Sequence, residues 1–187
     1  VDLPAILRLI PEFAVTHSLF VPAVLQFLLA TDGCRTTDFS SLQCVVYGAS
    51  PITEAILVDA MKTFDAEFVQ AYGLTETTGA VSVLAPEDHD PGGPRSHLLR
   101  SCGKAIANHT IKIVDKESGA EIPEGEVGEI CVAGPQIMKC YWRNEAASNE
   151  SFTDGWFHTG DAGYLREGYL YIHDRVKDMI ISGGENI

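Results

Sequence analysis

The chain has 187 residues, of which 45% are apolar, so it can form a substantial core. Its formal net charge is −13, with 26 acidic against 13 basic residues. That balance argues against a nucleic-acid binder or a membrane-surface binder, because such proteins carry a basic patch. No apolar run reaches about 18 residues, the length at which a transmembrane helix becomes a candidate.

Five cysteines occur, at positions 34, 44, 102, 131 and 140. The number is odd and no pair has CxxC spacing, so complete internal pairing is impossible. Reduced packing cysteines and a cytoplasmic location are therefore predicted.

The first half of the chain reads as alternating strands and helices. "AVTHSLFV" is typical of a strand, and Pro22 then opens a predicted helix, "PAVLQFLLA". Residues 42–48, "LQCVVYG", form a short apolar run that predicts a strand covered on both faces. Ser50 as cap and Pro51 at the first helical position predict that the next helix starts there. With "AEFVQAY" as the following strand, the spacing predicts a βαβ unit and a parallel sheet.

Residues 85–96, "APEDHDPGGPRS", mark a loop or subdomain boundary, because three prolines and two glycines fall within twelve residues. Beyond it the patterns favour antiparallel strands, including a hairpin "GYLREGYLYIHD" with its turn near "REG". The predicted fold is an α/β subdomain with part of a parallel sheet, residues 1–91. A small antiparallel, barrel-like β subdomain, residues 92–173, and a hinge segment, residues 174–187, follow it.

Two loops are predicted to leave the carboxyl ends of strands, where open α/β sheets bind ligands. They are "YGAS" and "AYGLTETTG". Tyr72 is suited to stack on a flat ring, Thr75 to contact a phosphate oxygen, and Glu76 to bind Mg²⁺. The alternative is a Gly- and Thr-rich turn with a solvated glutamate.

The segment "GWFHTGDAGYL" offers a second candidate, because a carboxylate at Asp161, held in a tight turn, can accept both hydroxyls of a ribose. An ordinary turn residue is the alternative. "DRVKDMIISGGENI" near the C-terminus reads equally as an exposed linker before a strand.

Taken in order, six segments resemble the adenylate-forming superfamily, which includes acyl-CoA synthetases, peptide-synthetase adenylation domains and beetle luciferases. They are "VTHSLFVP", "VVYGASPI", "QAYGLTETTG", "GEICVAGPQIMKCYW", "GWFHTGDAGYL" and "DRVKDMIISGGENI". The resemblance implies that ATP and a carboxylic acid form an acyl-adenylate and pyrophosphate, after which a thiol takes the acyl group. It implies ATP or AMP, Mg²⁺ and coenzyme A as ligands, and a fatty or aryl acid as substrate.

The resemblance also implies roles for individual residues. Glu76 corresponds to the Mg²⁺ ligand, and Lys177 to the hinge about which the small C-terminal domain swings. His17, Gly48 and Gly79 correspond to substrate contacts. The nucleotide-binding set implied by the resemblance is Gly48, Ala49, Ser50, Gln70, Tyr72, Gly73, Thr75, Asp161 and Arg175.

Both ends look cut, and the family's phosphate loop and its C-terminal domain with the catalytic lysine are missing. The expectation is therefore a fragment of the large N-terminal domain of an acyl-CoA synthetase, inactive by itself. Cys140 stands where the family pattern has glycine, which would strain a site that needs positive φ. Two alternatives stay open: an adenylation enzyme that loads a carrier protein, and a non-catalytic nucleotide-binding protein.

Overall fold

The computed structural model describes residues 1–175, 181–182 and 185–186. The chain groups into two compact units. The first comprises Val1–Gln70 and Ala85–Arg100, together with the short C-terminal strands β11 (Ile181–Ser182) and β12 (Glu185–Asn186). The second comprises Ala71–Leu84 and the described part of Ser101–Ile180. The division of the chain after residues 91 and 173 stays a prediction.

The first unit opens with a helix that the sequence analysis did not predict, α1 (Leu3–Glu12). Its signals are local, since the Asp2 side chain accepts a hydrogen bond from the Ala5 N–H at 3.0 Å and a proline lies in the first turn. The second helix, α2 (Pro22–Ala30), begins at the predicted proline. Both helices bury one face against the core of this unit.

Two parallel strands, β1 (His17–Phe20) and β2 (Cys44–Gly48), confirm the predicted strands of the first unit. The register places His17 opposite Cys44, with β2 lying between β1 and β3 (Glu67–Leu74). Since β1 and β2 run in the same direction, the start of β1 lies beside the start of β2. Gly48 lies at the other end of β2.

The helix predicted to begin at Ser50 and Pro51 begins later, at α3 (Glu54–Phe64), so that part of the prediction is wrong. Ala49 adopts φ 67° and turns the chain as it leaves β2, which leaves residues 50–52 as a connector. Thr53 is the N-cap, and its side chain accepts from the Ile56 N–H. The helix is therefore capped by Thr53, three residues after the predicted cap Ser50.

The core of the first unit joins one face of α3 to α2, β2 and β3. α3 buries residues spaced by three and four positions, as expected for one face of a helix. Fully buried side chains of this core are Leu25, Leu28, Val45, Leu57 and Ala60.

The second unit contains the end of β3 with β4 (Gly79–Leu84) and β5 (Lys104–Ala105), followed by an antiparallel sheet. That sheet has the order β10-β9-β7-β6, and the short strand β8 pairs with β9. The remaining elements are β6 (Thr110–Val114), β7 (Gly128–Ala133), α4 (Glu145–Glu150), β8 (Phe152–Thr153), β9 (Trp156–Arg166) and β10 (Tyr169–Arg175). The predicted fold class, α/β followed by antiparallel β, is confirmed.

The predicted hairpin is β9 and β10, which pair from Arg166 opposite Tyr169. The two turn residues, Glu167 and Gly168, have φ of 54° and 76°, the left-handed geometry that suits a two-residue hairpin turn. A second core fills this unit, and its fully buried members include Val81, Ile130, Val132 and Leu170.

The cysteines are free thiols, three of them buried, as predicted. Cys140 is exposed and does not adopt positive φ, so the departure from glycine at this position brings no backbone strain. Across the described residues, every helix is too short or too polar to cross a membrane.

Candidate functional site

Asp161 is the most deeply buried of the predicted binding carboxylates, with 5% of its surface exposed. The Tyr72 hydroxyl donates a hydrogen bond to its Oδ2 at 2.7 Å, which joins β3 to β9 within the second unit. Burial, followed by the negative charge of Asp161, raises the pKa of Tyr72 above its ordinary value. Tyr72 therefore keeps its proton and acts as a donor to the carboxylate.

Strand pairing places Arg175 beside Asp161. The register of β9 and β10 pairs Arg175 with Asp161, so the two predicted ribose contacts lie directly opposite each other on neighbouring strands. Cα atoms of directly opposed residues are about 4.5–5.5 Å apart in antiparallel sheets. The sequence separation between the two positions is closed by the predicted hairpin.

The chain just before Asp161 leaves the regular ladder between β7 and β9. Glu129 pairs with Ala162 and Cys131 pairs with His158, so two steps along β7 match four steps along β9. The two extra residues form a bulge at residues 159–161. Bulges of this kind re-aim side chains and are frequent beside functional sites.

Side chains satisfy the backbone groups of this bulge. Thr159 Oγ1 donates to the Ile130 carbonyl at 2.8 Å and accepts from the Asp161 N–H at 3.1 Å. Glu129 Oε1 accepts from the Gly160 N–H at 3.2 Å. Gly160 has φ of 74°, a conformation that glycine adopts without strain.

Glu129, Cys131 and His158 offer ligand atoms of the types that bind a transition metal, all within 4.8 Å of one another. Their existing bonds explain the cluster without an ion. His158 Nδ1 lies 2.9 Å from Glu129 Oε2, and since an ionised carboxylate only accepts, Nδ1 carries the proton. Burial, followed by the charge of Glu129, raises the pKa of the Cys131 thiol to about 12, so the sulfur keeps its proton at neutral pH.

Glu76 lies in a single 3₁₀ turn, Thr75–Thr77, that joins β3 to β4. Thr77 is fully buried, and its Oγ1 lies 2.8 Å from the Leu74 N–H nitrogen and 2.6 Å from the Gly79 carbonyl oxygen, which closes the turn. A Cβ on Gly73 would overlap the Gly79 carbonyl oxygen. Glycine is therefore required at position 73 by the close approach of the backbone and at position 79 by a φ of 135°.

The Glu76 carboxylate is half-buried, and the Thr75 side chain beside it is exposed. Tyr141 donates its hydroxyl to Glu76 Oε1 at 2.8 Å, and the Met138 N–H donates to the Glu76 carbonyl at 2.7 Å. Burial, followed by the hydrogen bond to Glu76, raises the pKa of Tyr141. A fixed carboxylate beside an accessible hydroxyl fits Mg²⁺, which prefers hard oxygen ligands and usually retains phosphate and water ligands as well.

In the first unit, Gly48 is buried, Ala49 is exposed and Ser50 is half-buried, directly after β2. Gln70 lies on β3, and its side-chain oxygen is a buried acceptor with no hydrogen-bond partner among the described residues. A ligand that donates a hydrogen bond would satisfy that oxygen.

The structure does not bring His17 to this loop. His17 is exposed at the start of β1, whereas Gly48 ends β2, four residues beyond the partner of His17. At about 3.3 Å per residue the two lie roughly 13 Å apart along the strands. Lys177 falls outside the described residues.

Four residues of the site were missed from the sequence: Thr77, Glu129, Tyr141 and Thr159. Each contacts a predicted residue or its turn through a side chain, as described above. Glu129 and Tyr141 lie in the quoted segment "GEICVAGPQIMKCYW", so the resemblance was the signal that could have found them. Their contacts span 31 and 65 residues, a distance that local patterns do not reveal.

Comparison with known proteins identifies the family. The sequence model of the family described as AMP-binding enzyme matches residues 1–142. The chain belongs to this family. The matched residues include the Glu76 turn, and Asp161 lies after them in the chain.

Two curated relatives and one solved structure illustrate the similarity. Fatty acid–[acyl-carrier-protein] ligase ScoC of Streptomyces coeruleorubidus is 43% identical over 96% of this chain and 34% of the relative. A medium/long-chain-fatty-acid–CoA ligase of Mycobacterium tuberculosis is 41% identical over 100% of this chain and 32% of the relative. The solved structure is o-succinylbenzoate coenzyme A synthetase from Bacillus subtilis in complex with ATP and magnesium ion. It matches with a TM-score of 0.80 and 36% identity, over 100% of this chain and 37% of that protein. The chain thus spans about a third of the length of these relatives.

Proposed function

We propose that the parent of this chain is an AMP-forming ligase that activates a carboxylic acid with ATP and transfers the acyl group to a thiol. The observation that carries the proposal is the Tyr72–Asp161 pair, a buried carboxylate held by a protonated phenol opposite Arg175. Such a carboxylate accepts hydrogen bonds from two vicinal hydroxyls, which is what a ribose presents. Family membership and the ATP-bound relative support this interpretation.

Each residue then has a defined task. Asp161 and Arg175 bind the ribose side of the nucleotide, and Tyr72 fixes the Asp161 carboxylate and stacks on adenine. Gly48, Ala49, Ser50, Gln70 and Gly73 belong to the proposed nucleotide contacts, and Gly48 and Gly79 to the proposed acyl pocket. The buried Gln70 oxygen suits a donor such as an exocyclic amine.

Thr75 and Glu76 serve the phosphate end of the nucleotide. Mg²⁺, when bound, neutralises phosphate charge so that a second anion can approach. Glu76 would hold that ion with an oriented Oε1, and the exposed Thr75 hydroxyl would contact a phosphate oxygen. The contribution of this chain is therefore placement and electrostatic stabilisation.

The reaction follows from the weakness of a carboxylate as an electrophile. The carboxylate oxygen attacks the α-phosphorus of ATP, and pyrophosphate leaves with the electrons of the broken P–O bond. The thiol, losing its proton, then attacks the acyl carbon, and AMP leaves. The described residues bind the nucleotide, and the catalytic lysine is proposed to lie in the parent beyond this chain.

A fatty or aryl acid is the proposed substrate, because the two curated relatives are named as fatty-acid ligases and the solved relative as an o-succinylbenzoate coenzyme A synthetase. Coenzyme A is the proposed acceptor, with a carrier protein as the second candidate. The second candidate is favoured by one specific observation, the 43% identity to an acyl-carrier-protein ligase. A cytoplasmic location is part of the proposal, since the free thiols suit a reducing compartment.

The test uses the full-length parent protein with ATP and Mg²⁺. Pyrophosphate release is followed with short, long and aromatic acids, each with coenzyme A, with a carrier protein, or with neither. We expect release with fatty or aromatic acids, and acyl-CoA when coenzyme A is present. Acyl transfer only to the carrier would select the second candidate. If ATP binds but no acid gives pyrophosphate release, both ligase candidates are wrong and the parent is a non-catalytic nucleotide-binding protein.

A further inference from the structure

We propose that Glu129 is a positioning residue for the nucleotide ribose: it fixes the bulge that aims Asp161. This proposal rests on the proposed function, in which Asp161 accepts hydrogen bonds from the ribose hydroxyls. Glu129 lies on β7, one strand away from Asp161, and its own side chain does not need to touch the nucleotide.

The bulge needs side-chain partners. Regular strand pairing between β7 and β9 stops at Glu129 opposite Ala162 and resumes at Cys131 opposite His158. The backbone groups of residues 159–161 fall out of register in between. A buried backbone group without a partner is costly, so this conformation depends on whatever replaces the ladder.

Glu129 supplies two of the hydrogen bonds that replace the regular strand pairing. Its Oε1 accepts from the Gly160 N–H at 3.2 Å, and its Oε2 accepts from His158 Nδ1 at 2.9 Å. One carboxylate thus holds both the residue before Asp161 and the residue where regular pairing resumes. Hydrogen bonds to an ionised acceptor are stronger than neutral ones, and only 15% of this side chain is exposed.

The bulge and its contacts set the direction of the Asp161 side chain. Gly160, immediately before Asp161, has φ of 74°, which is a left-handed backbone conformation. Thr159 ties the same bulge to the Ile130 carbonyl, and Tyr72 holds Asp161 Oδ2 from the other side. Removal of the Glu129 carboxylate would release the Gly160 N–H and let Asp161 turn away from the ribose.

The proposal predicts a specific loss: discrimination between ATP and a nucleotide that lacks a ribose hydroxyl. In the full-length parent, kcat/KM is measured for ATP, 2′-deoxy-ATP and 3′-deoxy-ATP. Wild type should prefer ATP by about tenfold or more, as expected for hydrogen bonds to a charged acceptor. Glu129→Ala should raise the KM for ATP about tenfold, change kcat less, and reduce the preference to the low value of Asp161→Asn.

Rescue and control variants separate positioning from stability. Glu129→Gln keeps an oxygen acceptor for the Gly160 N–H and should retain most of the preference for ATP. Glu129→Asp, one methylene shorter, cannot reach both partners and should lose the preference even if Glu129→Ala is insoluble. Val132→Ala removes a fully buried side chain of the same strand that has no bond to the bulge. It should lower the melting temperature and keep the preference.

Two different results would overturn the proposal: one concerns Glu129 alone, and the other concerns the ribose assignment of Asp161. If Asp161→Asn loses the preference for ATP while Glu129→Ala or Glu129→Asp keeps it, Glu129 has only a structural role. If wild type itself does not distinguish ATP from the deoxynucleotides, the ribose assignment of Asp161 is wrong, and the role of Glu129 is lost with it.

Discussion

The second unit presents two carboxylates to the proposed nucleotide, and it holds them in contrasting ways. Asp161 is 5% exposed, accepts a hydrogen bond from the Tyr72 hydroxyl and is the last residue of a bulge whose backbone is satisfied by side chains. Glu76 is only half-buried in a short turn, and Tyr141 orients one of its oxygens. The deep carboxylate suits neutral hydroxyls, which must be recognised by geometry. The shallower one suits a hydrated cation, which needs room for water and phosphate ligands.

The largest effect is expected at the shallower carboxylate. Glu76→Gln keeps the side-chain size and an oxygen for Tyr141 but removes the charge that would hold Mg²⁺. We expect kcat for pyrophosphate release to fall about a hundredfold, in the range seen when one electrostatic group is lost from an active site. Measurement of the rate against Mg²⁺ concentration should also show a higher requirement for the ion. The exposed Glu87→Gln is the matched control, and an unchanged Mg²⁺ profile in Glu76→Gln would remove the metal assignment.

The next effect is expected at the deep carboxylate. Asp161→Asn should reduce kcat/KM for ATP more than tenfold, mainly through KM, because an amide accepts fewer and weaker hydrogen bonds than a carboxylate. Initial rates against ATP concentration measure this directly. Asp154→Asn, at an exposed turn before β9, is the control and should behave as wild type. Equal KM values for the two variants would contradict the ribose assignment.

A smaller effect should separate Glu76 from the residue that orients it. Tyr141→Phe removes the donor to Glu76 Oε1 and leaves the charge in place, so we expect the half-saturating Mg²⁺ concentration to rise about tenfold. The maximal rate at high Mg²⁺ should recover. Tyr164→Phe keeps its ring stacked on Tyr171 and serves as the control. Loss of the maximal rate without a shift in Mg²⁺ dependence would show that Tyr141 acts otherwise.

The smallest effect concerns the first unit, where His89 supports the strand that leads to Gly48. Its Nδ1 donates to the Ala85 carbonyl at 2.9 Å, and its Nε2 accepts from the Tyr47 hydroxyl at 3.0 Å. Burial lowers the pKa of His89, opposed by the Ala85 hydrogen bond and by the charge of Asp88. The folded state therefore favours the neutral ring.

The sign of the pH dependence follows from that preference. The stabilisation by neutral His89 is complete above its ordinary pKa of about 6.5 and is lost as pH falls through the lowered value. Between pH 7.5 and 5.5 we expect the melting temperature of wild type to fall about 2 °C more than that of His89→Gln. Thermal denaturation of both proteins at the two pH values measures this difference. Parallel declines would show that His89 does not contribute.

Periodicity was sufficient for the elements that pack as regular strands and helices. The apolar run before Gly48, the helix opened by Pro22 and the β9–β10 hairpin follow from local sequence, and the structure has them all. The start of α3 did not follow, because the chain turns at Ala49 and the helix is capped by Thr53 instead of the predicted Ser50. Helix α1 was missed although its capping aspartate and first-turn proline are local signals.

The same distinction between local and long-range signals applies to the candidate site. Glu76 and Asp161 were predicted because they lie in recognisable segments. The Glu76 side chain is held by Tyr141, and the bulge at Asp161 is held by Glu129, both far away in sequence. His17 was carried over from a segment match, and the strand register then placed it at the opposite end from Gly48. Segment resemblance identifies residue types, whereas register and bulges decide where those residues lie.

The bulge before Asp161 contains two extra residues, an even number. Side chains of a strand alternate between its faces with a period of two, so an even insertion leaves the facing of everything beyond it unchanged. Phe157 on one side of the bulge and Leu165 on the other both pack into the same core. Residues could therefore be added or removed in pairs at this kink without rebuilding the interior.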